Sequence, residues 1–110
     1  MGSSKADLLD LPPEVIQVFG YALHLAQTGR RHESTTVLKS EGDAGVLEVT
    51  QAHRGNAYRA VYTVRFAEAV FVLHVFQKKS KSGRATPRTD LSLVRQRLRE
   101  ATGIAAKMKT

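Results

Sequence analysis

The sequence predicts an α+β domain: an N-terminal helical hairpin packed on a small antiparallel β-sheet, with a C-terminal helix. Three observations carry this. Apolar residues recur with helical period in the first thirty residues, with a period near two between residues 46 and 76, and with helical period again after residue 89. The links between the strands are short, so consecutive strands form an antiparallel meander. The chain has 110 residues and is 42% hydrophobic, which suits one domain over residues 1–110.

Each element follows in order. Ser4-Lys5-Ala6-Asp7 reads as an N-cap with an acidic residue three positions on, and a short helix ends at Leu11-Pro12-Pro13. A second helix is predicted from about Pro13 to Gln27, because proline is tolerated in a first turn. Val15, Ile16, Phe19, Ala22, Leu23 and Ala26 give it one buried stripe, and Thr28-Gly29 is the stop. Residues 30–45 read as a loop with one short extended piece at Thr36–Lys39.

The period then changes. Val46, Leu47 and Val49 start a strand, with Glu48 and Thr50 alternating outward. Ala52 to Asn56 is a predicted turn hinged at Gly55-Asn56. Tyr58 to Phe66 is a second strand, with Tyr58, Ala60, Tyr62, Val64 and Phe66 on one face and Arg59, Val61, Thr63 and Arg65 on the other. After a tight link at Ala67-Glu68, Ala69 to Phe76 is apolar on both faces and is expected at the centre of the sheet. The helices are expected on one face of that sheet. Thr89 is expected to cap a last helix, about Asp90 to Ala101, with Leu91, Val94, Leu98 and Ala101 inward and Arg95 and Arg99 outward. Gly103 is the predicted stop, and residues 103–110 are expected to fray.

Composition excludes several function classes. With no cysteine there are no disulfides, thiolate metal sites or thiol nucleophiles. The N-terminal residues lack the apolar stretch of a signal peptide. The longest apolar run, Ala69 to Val75 interrupted by His74, is far below the ~20 residues of a membrane span, so a soluble, cytoplasmic chain is expected. There is no nucleophile elbow, no P-loop and no Gly-x-Gly-x-x-Gly. The four histidines, His24, His32, His53 and His74, match no zinc spacing. His24 and His74 read as packed or hydrogen-bonded residues. His53, in a turn beside Arg54, is the best placed of the four to meet a ligand.

Charge is the stronger signal. Lys and Arg number 17 against 10 Asp and Glu, for +7. Residues 1–50 carry 4 basic and 7 acidic side chains (−3), and residues 51–110 carry 13 and 3 (+10). A lopsided basic half is the footprint of a polyanion partner, or else a solvated face. Arg59 on the middle strand, Lys78 and Lys79 at the exit of the next, and Arg54, Lys81, Arg84 and Arg88 in flanking loops would suit a phosphate chain. Tyr58 and Tyr62 lie beside Arg59 in sequence and offer either rings for base stacking or core packing.

One constellation adds to this. Tyr58-Arg59-Ala60-Val61-Tyr62 is followed by Val70-Phe71-Val72-Leu73-His74-Val75-Phe76-Gln77-Lys78-Lys79-Ser80. Thr86-Pro87, then Asp90 with Arg95 and Arg97, come after it. Together these resemble the phage-derived, host-killing HigB-like toxins of the RelE/ParE superfamily, the toxins of bacterial type II toxin–antitoxin modules. Their pattern is a Tyr-Arg-x-x-Tyr strand, a hydrophobic strand ending in Phe-x-Lys-Lys, a Thr-Pro step and a final helix with arginines. Gly2 to Leu8 and Leu11-Pro12 resemble the family's first helix, so the resemblance spans roughly residues 2 to 101. Members of the family usually carry a strand before that helix, and the sequence as given starts too late to supply one, which implies either a downstream start or an absent strand; the loop Lys81 to Ala85 reads as slightly longer than the family's.

The resemblance implies a ribosome-dependent endoribonuclease that cleaves translated mRNA through attack of a 2′-hydroxyl on the adjacent phosphate. Carried over by position, Arg59, Lys78 and Lys79 would stabilise the phosphorane charge, and one lysine would act as base. His53 is a rival for acid–base work. Arg54, Tyr58, Tyr62, Lys81, Arg84 and Arg88 would bind RNA. No cofactor and no metal is called for. The implied partners are a cognate helix-turn-helix antitoxin, mRNA in the ribosomal A site, and ribosomal RNA, with no membrane. The same fold hosts ParE-like inhibitors of DNA gyrase, and a catalytically inactive homologue acting as an antitoxin-binding co-repressor is a further alternative.

Overall fold

A computed structural model describes residues 4–30, 32–33, 35–37, 45–64, 70–78 and 88–108, with only the backbone described at 4, 5, 78, 88 and 89. The order is α1 (Ser4–Leu9), α2 (Pro13–Gln27), β1 (Thr35–Val37), β2 (Val46–His53), β3 (Asn56–Thr63), β4 (Phe71–Lys78) and α3 (Arg88–Met108). The α+β class holds: helices frame one antiparallel sheet of order β1-β2-β3-β4.

Local chemistry sets the boundaries of the helical hairpin. Pro12 is extended (φ −55°, ψ 144°), and Pro13 opens α2, where a missing N–H is no loss. At the other end Gly29 takes φ +81°. The Arg30 N–H reaches the Leu25 carbonyl at 2.7 Å, and the Gly29 N–H reaches that of Ala26 at 3.2 Å. This is a Schellman stop, which a left-handed glycine permits. Val15, Phe19, Ala22, Leu25 and Ala26 form the buried face of α2. Leu25 joins the stripe, whereas Ile16 and Leu23 are half-buried. His24, expected to be packed, is exposed.

The sheet encloses two cores, one on each face. On the first face Leu47, Val49, Tyr58, Ala60, Tyr62 and Val75 pack with Val15, Phe19, Ala22 and Ala26 of α2, and Leu8 of α1 adds to them. On the second, Val46, Val61 and Leu73 pack with Val94 and Ala101 of α3, joined by Phe71, Phe76 and Leu98. The helices therefore cover both faces rather than one. This corrects the placement of β4 as well. It is an outer strand among those described, and its two apolar faces are explained by α1 on one side and α3 on the other.

Two further expectations are corrected, and a third lies outside the described residues. The β2–β3 connection is not a five-residue turn but a tight hairpin, with His53 opposite Asn56 and only Arg54-Gly55 between them. Both connecting residues have positive φ, 51° and 83°, the turn whose twist matches a hairpin. The strands run to 56–63 and 71–78, so the expected strand end at Phe66 and the link at Ala67-Glu68 lie outside the described residues. The last helix starts at Arg88, which puts Thr89 in its first turn rather than at its cap, and it passes through Gly103 to Met108. Ala101 and Ala105, one turn apart, are both buried, so packing carries the helix past the glycine.

Candidate nucleic-acid interface

The second face of the sheet carries the polar chemistry. Alternation along β2 and β3 places Glu48 and Arg59 on it, as diagonal neighbours in the register (Glu48↔Val61, Thr50↔Arg59). Arg59 Nη1 donates to Glu48 Oε1 at 3.0 Å, and each side chain is less than a tenth exposed. Glu48 therefore does not point into solvent, as the sequence alternation suggested. α3 covers the side that alternation alone labels as outward.

One strand over, β4 carries a bulge. Val61 pairs with His74 but Tyr62 pairs with Val72, so Leu73 is the extra residue. The Leu73 carbonyl accepts from Arg97 Nη1 at 2.9 Å. The same Nη1 stands 3.4 Å from His74 Nδ1, and His74 Nε2 lies 2.7 Å from Asp90 Oδ1 in the first turn of α3. Phe76 stacks on the imidazole, with centroids 4.8 Å apart and planes at 16°. His74 is thus the packed, hydrogen-bonded histidine that its place in an apolar strand suggests. Arg97, which enters the sequence pattern only as one of the final helix's arginines, falls on the buried stripe of α3 with Val94, Leu98 and Ala101.

The structure divides the sequence-predicted site residues. Arg59 and Lys78 belong to one end of the β3–β4 pair, where Arg59 faces Phe76 and Ala57 faces Lys78 in the register. The hairpin tip with exposed Arg54 closes at the residue next to Ala57, so it shares that end of the sheet. His53 does not join Arg59. It alternates onto the first face, where its Nε2 lies 3.8 Å from Glu14 Oε2 of α2. Tyr58 and Tyr62 are in the first-face core under α2, and a buried ring has no free face to stack on a base. Lys79, Lys81 and Arg84 lie outside the described residues, as do the side chains of Lys78 and Arg88. Among the described residues no group of three or more His, Asp or Glu could hold a metal ion. No described helix is long and apolar enough to cross a membrane.

Comparison with known proteins bears on this arrangement. Residues 6–99 match the family described as phage derived protein Gp49-like (DUF891). The chain belongs to that family. The Gp49-like family is toxin-like and related to the RelE/HigB-type toxins, which agrees with the resemblance at the level of the superfamily. No curated protein and no solved structure matches the chain. The matched span runs from α1 into α3, so the covered sheet and the hydrogen bonds of His74, Asp90 and Arg97 all fall within the family's extent.

Proposed function

We propose that this Gp49-like protein is the toxin of a bacterial type II toxin–antitoxin module and cleaves translated mRNA on the ribosome. The observation that carries the proposal is the convergence of cationic positions at one end of the sheet. The Arg54 hairpin tip lies beside the Ala57↔Lys78 pair, and Lys78 leads into the basic segment 79–88. Neutralising successive phosphates there would give affinity with a steep salt dependence.

In this reading the RNA 2′-oxygen attacks the adjacent phosphorus. The bond to the 5′-oxygen breaks, leaving a 2′,3′-cyclic phosphate and a 5′-hydroxyl. Lys78 and Lys79 stabilise the phosphorane charge, and one of them takes the 2′-proton. Arg54, Lys81, Arg84 and Arg88 hold the phosphate chain. Arg59 contributes less than its charge suggests, because Glu48 at 3.0 Å cancels much of its field at a distance. His53, Tyr58 and Tyr62 have no part in the reacting set. A cognate antitoxin, a small helix-turn-helix protein, would neutralise the toxin by covering the cationic end or by keeping it off the ribosome.

Induced expression in a bacterial host, followed within minutes by primer extension on an abundant message, tests the proposal. Cuts that appear only while the message is translated are the expected result. Growth arrest with intact messages and lost supercoiling would replace the nuclease with a gyrase inhibitor. Neither arrest nor cuts would leave an inactive homologue that works through its antitoxin.

A further inference from the structure

The His74 cluster is not explained by binding or cleavage as proposed. Both imidazole nitrogens are engaged inside the protein, so neither is left for a substrate. The guanidinium of Arg97 has donors only, so the Nδ1 that faces it must accept. The ring proton then sits on Nε2 and donates to the Asp90 carboxylate at 2.7 Å. The bulge at Leu73 turns a carbonyl toward α3, and Arg97 caps it at 2.9 Å. Phe76 closes over the ring. A one-residue slip of α3 against β4 would break all three polar contacts together, and buried polar groups that lose their partners are strongly disfavoured.

The chain positions give the cluster a purpose. Lys78 is four residues after His74 on β4, and Arg88 is two residues before Asp90 on α3. The bond between His74 and Asp90 therefore ties together the two ends of the basic segment 79–87. We infer that His74, as the Nε2–H tautomer between Asp90 and Arg97, is a positioning residue that fixes the spacing of the cations at the two ends of this segment. The spacing itself is independent of the proposed cleavage; its consequence for rate rests on that proposal.

The natural chain has no cysteine, so a pair of spin labels can be introduced without removing any. Labels at Gln77→Cys and Ser92→Cys, both exposed, report the distance between the end of β4 and the start of α3 in the full chain. The expected result is a narrow distance distribution in the otherwise natural protein. In a folded His74→Leu variant it broadens, and in Asp90→Asn, whose Oδ1 still accepts from Nε2–H, it stays narrow. In unlabelled protein, His74→Leu should lower the mRNA cleavage rate by ~100-fold, the effect of a small misplacement of reacting groups. Its affinity for a labelled single-stranded RNA oligonucleotide should hold, because no phosphate-binding cation is removed. A merely structural role would lower the melting temperature and leave the rate of the folded fraction intact. An unbroadened distribution in folded His74→Leu overturns the positioning role. Broadening without loss of cleavage overturns its link to rate, and Asp90→Asn behaving like His74→Leu overturns a neutral hydrogen bond to residue 90 as the tie. If the natural protein cleaves nothing, the nuclease proposal fails, and the label distances still decide the positioning role.

Discussion

The two faces of the sheet are built on different physics. The first, under α1 and α2, is an apolar core: Leu47, Val49, Ala60, Tyr62 and Val75 meet Val15, Phe19 and Ala22. Apolar contact is non-directional, so such a face tolerates small shifts of its helices. The second, under α3, mixes an apolar cluster with a buried ion pair and a hydrogen-bonded histidine. Those contacts are directional, and His74 and Arg59 lie on the two strands, β4 and β3, whose paired end carries Lys78 opposite Ala57. The comparison suggests a division of labour, in which the first face supplies stability and the second supplies register.

The largest expected effects test that division. Arg59→Ala should lower stability by about 3–5 kcal/mol in urea unfolding, because it takes the counter-charge at 3.0 Å away from the Glu48 carboxylate in a site less than a tenth exposed. On the first face Phe19→Ala should cost a similar ~3–5 kcal/mol, for a different reason: the loss is of buried area and packing. A second variant separates the two mechanisms. Replacing Glu48 and Arg59 together by leucine should recover most of the loss, since exchanging a buried pair for apolar groups is often close to neutral. If the double variant is as unstable as Arg59→Ala, the second face depends on the charges themselves and the comparison breaks. The result also warns against reading Arg59→Ala as a catalytic knockout unless the variant is shown to be folded.

Much of this arrangement was legible in the sequence, and the misses have a common cause. Helical period in Val15, Phe19, Ala22 and Ala26, the Pro12-Pro13 start and the Thr28-Gly29 stop are local signals, and α2 follows them. Alternation along β2 and β3 assigned the residues to faces correctly, Glu48 and Arg59 included. Alternation carries no information on whether α3 covers the second face, so an outward position reads as a solvent-facing one. The same blind spot put β4 in the middle of the sheet, because burial on both faces can come from strands beside it or from helices above and below. The bond from His74 to Asp90 joins residues sixteen apart through the tertiary fold, and no local spacing announces it. For the proposed site, the charge bias of residues 51–110 is the signal the sequence offers, and the register brings the Arg54 tip and Lys78 to one end of the sheet. His53, Tyr58 and Tyr62 were drawn in by closeness in sequence, and the strand period moved them to the other face.

Gly103 sharpens the comparison at lower amplitude. It lies inside α3, and a Cβ added there would meet nothing within 4 Å. Gly103→Ala should therefore raise stability by about 1 kcal/mol through helix propensity alone. The gain should be seen in urea unfolding, with RNA affinity unchanged. A loss of stability would mean that the far end of α3 needs the glycine, and that packing alone does not order that end of the second face.

The smallest effect is the most informative about function. Arg54 holds φ 51° at the hairpin tip, a left-handed position where asparagine or glycine is at ease and a long side chain is not. Arg54→Asn should relieve part of that strain and raise stability by about 0.5 kcal/mol, a fraction of the usual left-handed penalty. The same change removes one exposed cation from the end of the sheet. RNA binding should weaken uniformly across sequences, and the slope of log affinity against log salt should fall by about one. Stability and binding would then move in opposite directions at a single residue, as expected where a strained conformation is kept for a ligand. Were stability to rise with RNA affinity and salt slope unchanged, Arg54 would be a solvated turn residue, and the cationic end would have to be built from β4 and the segment that follows it.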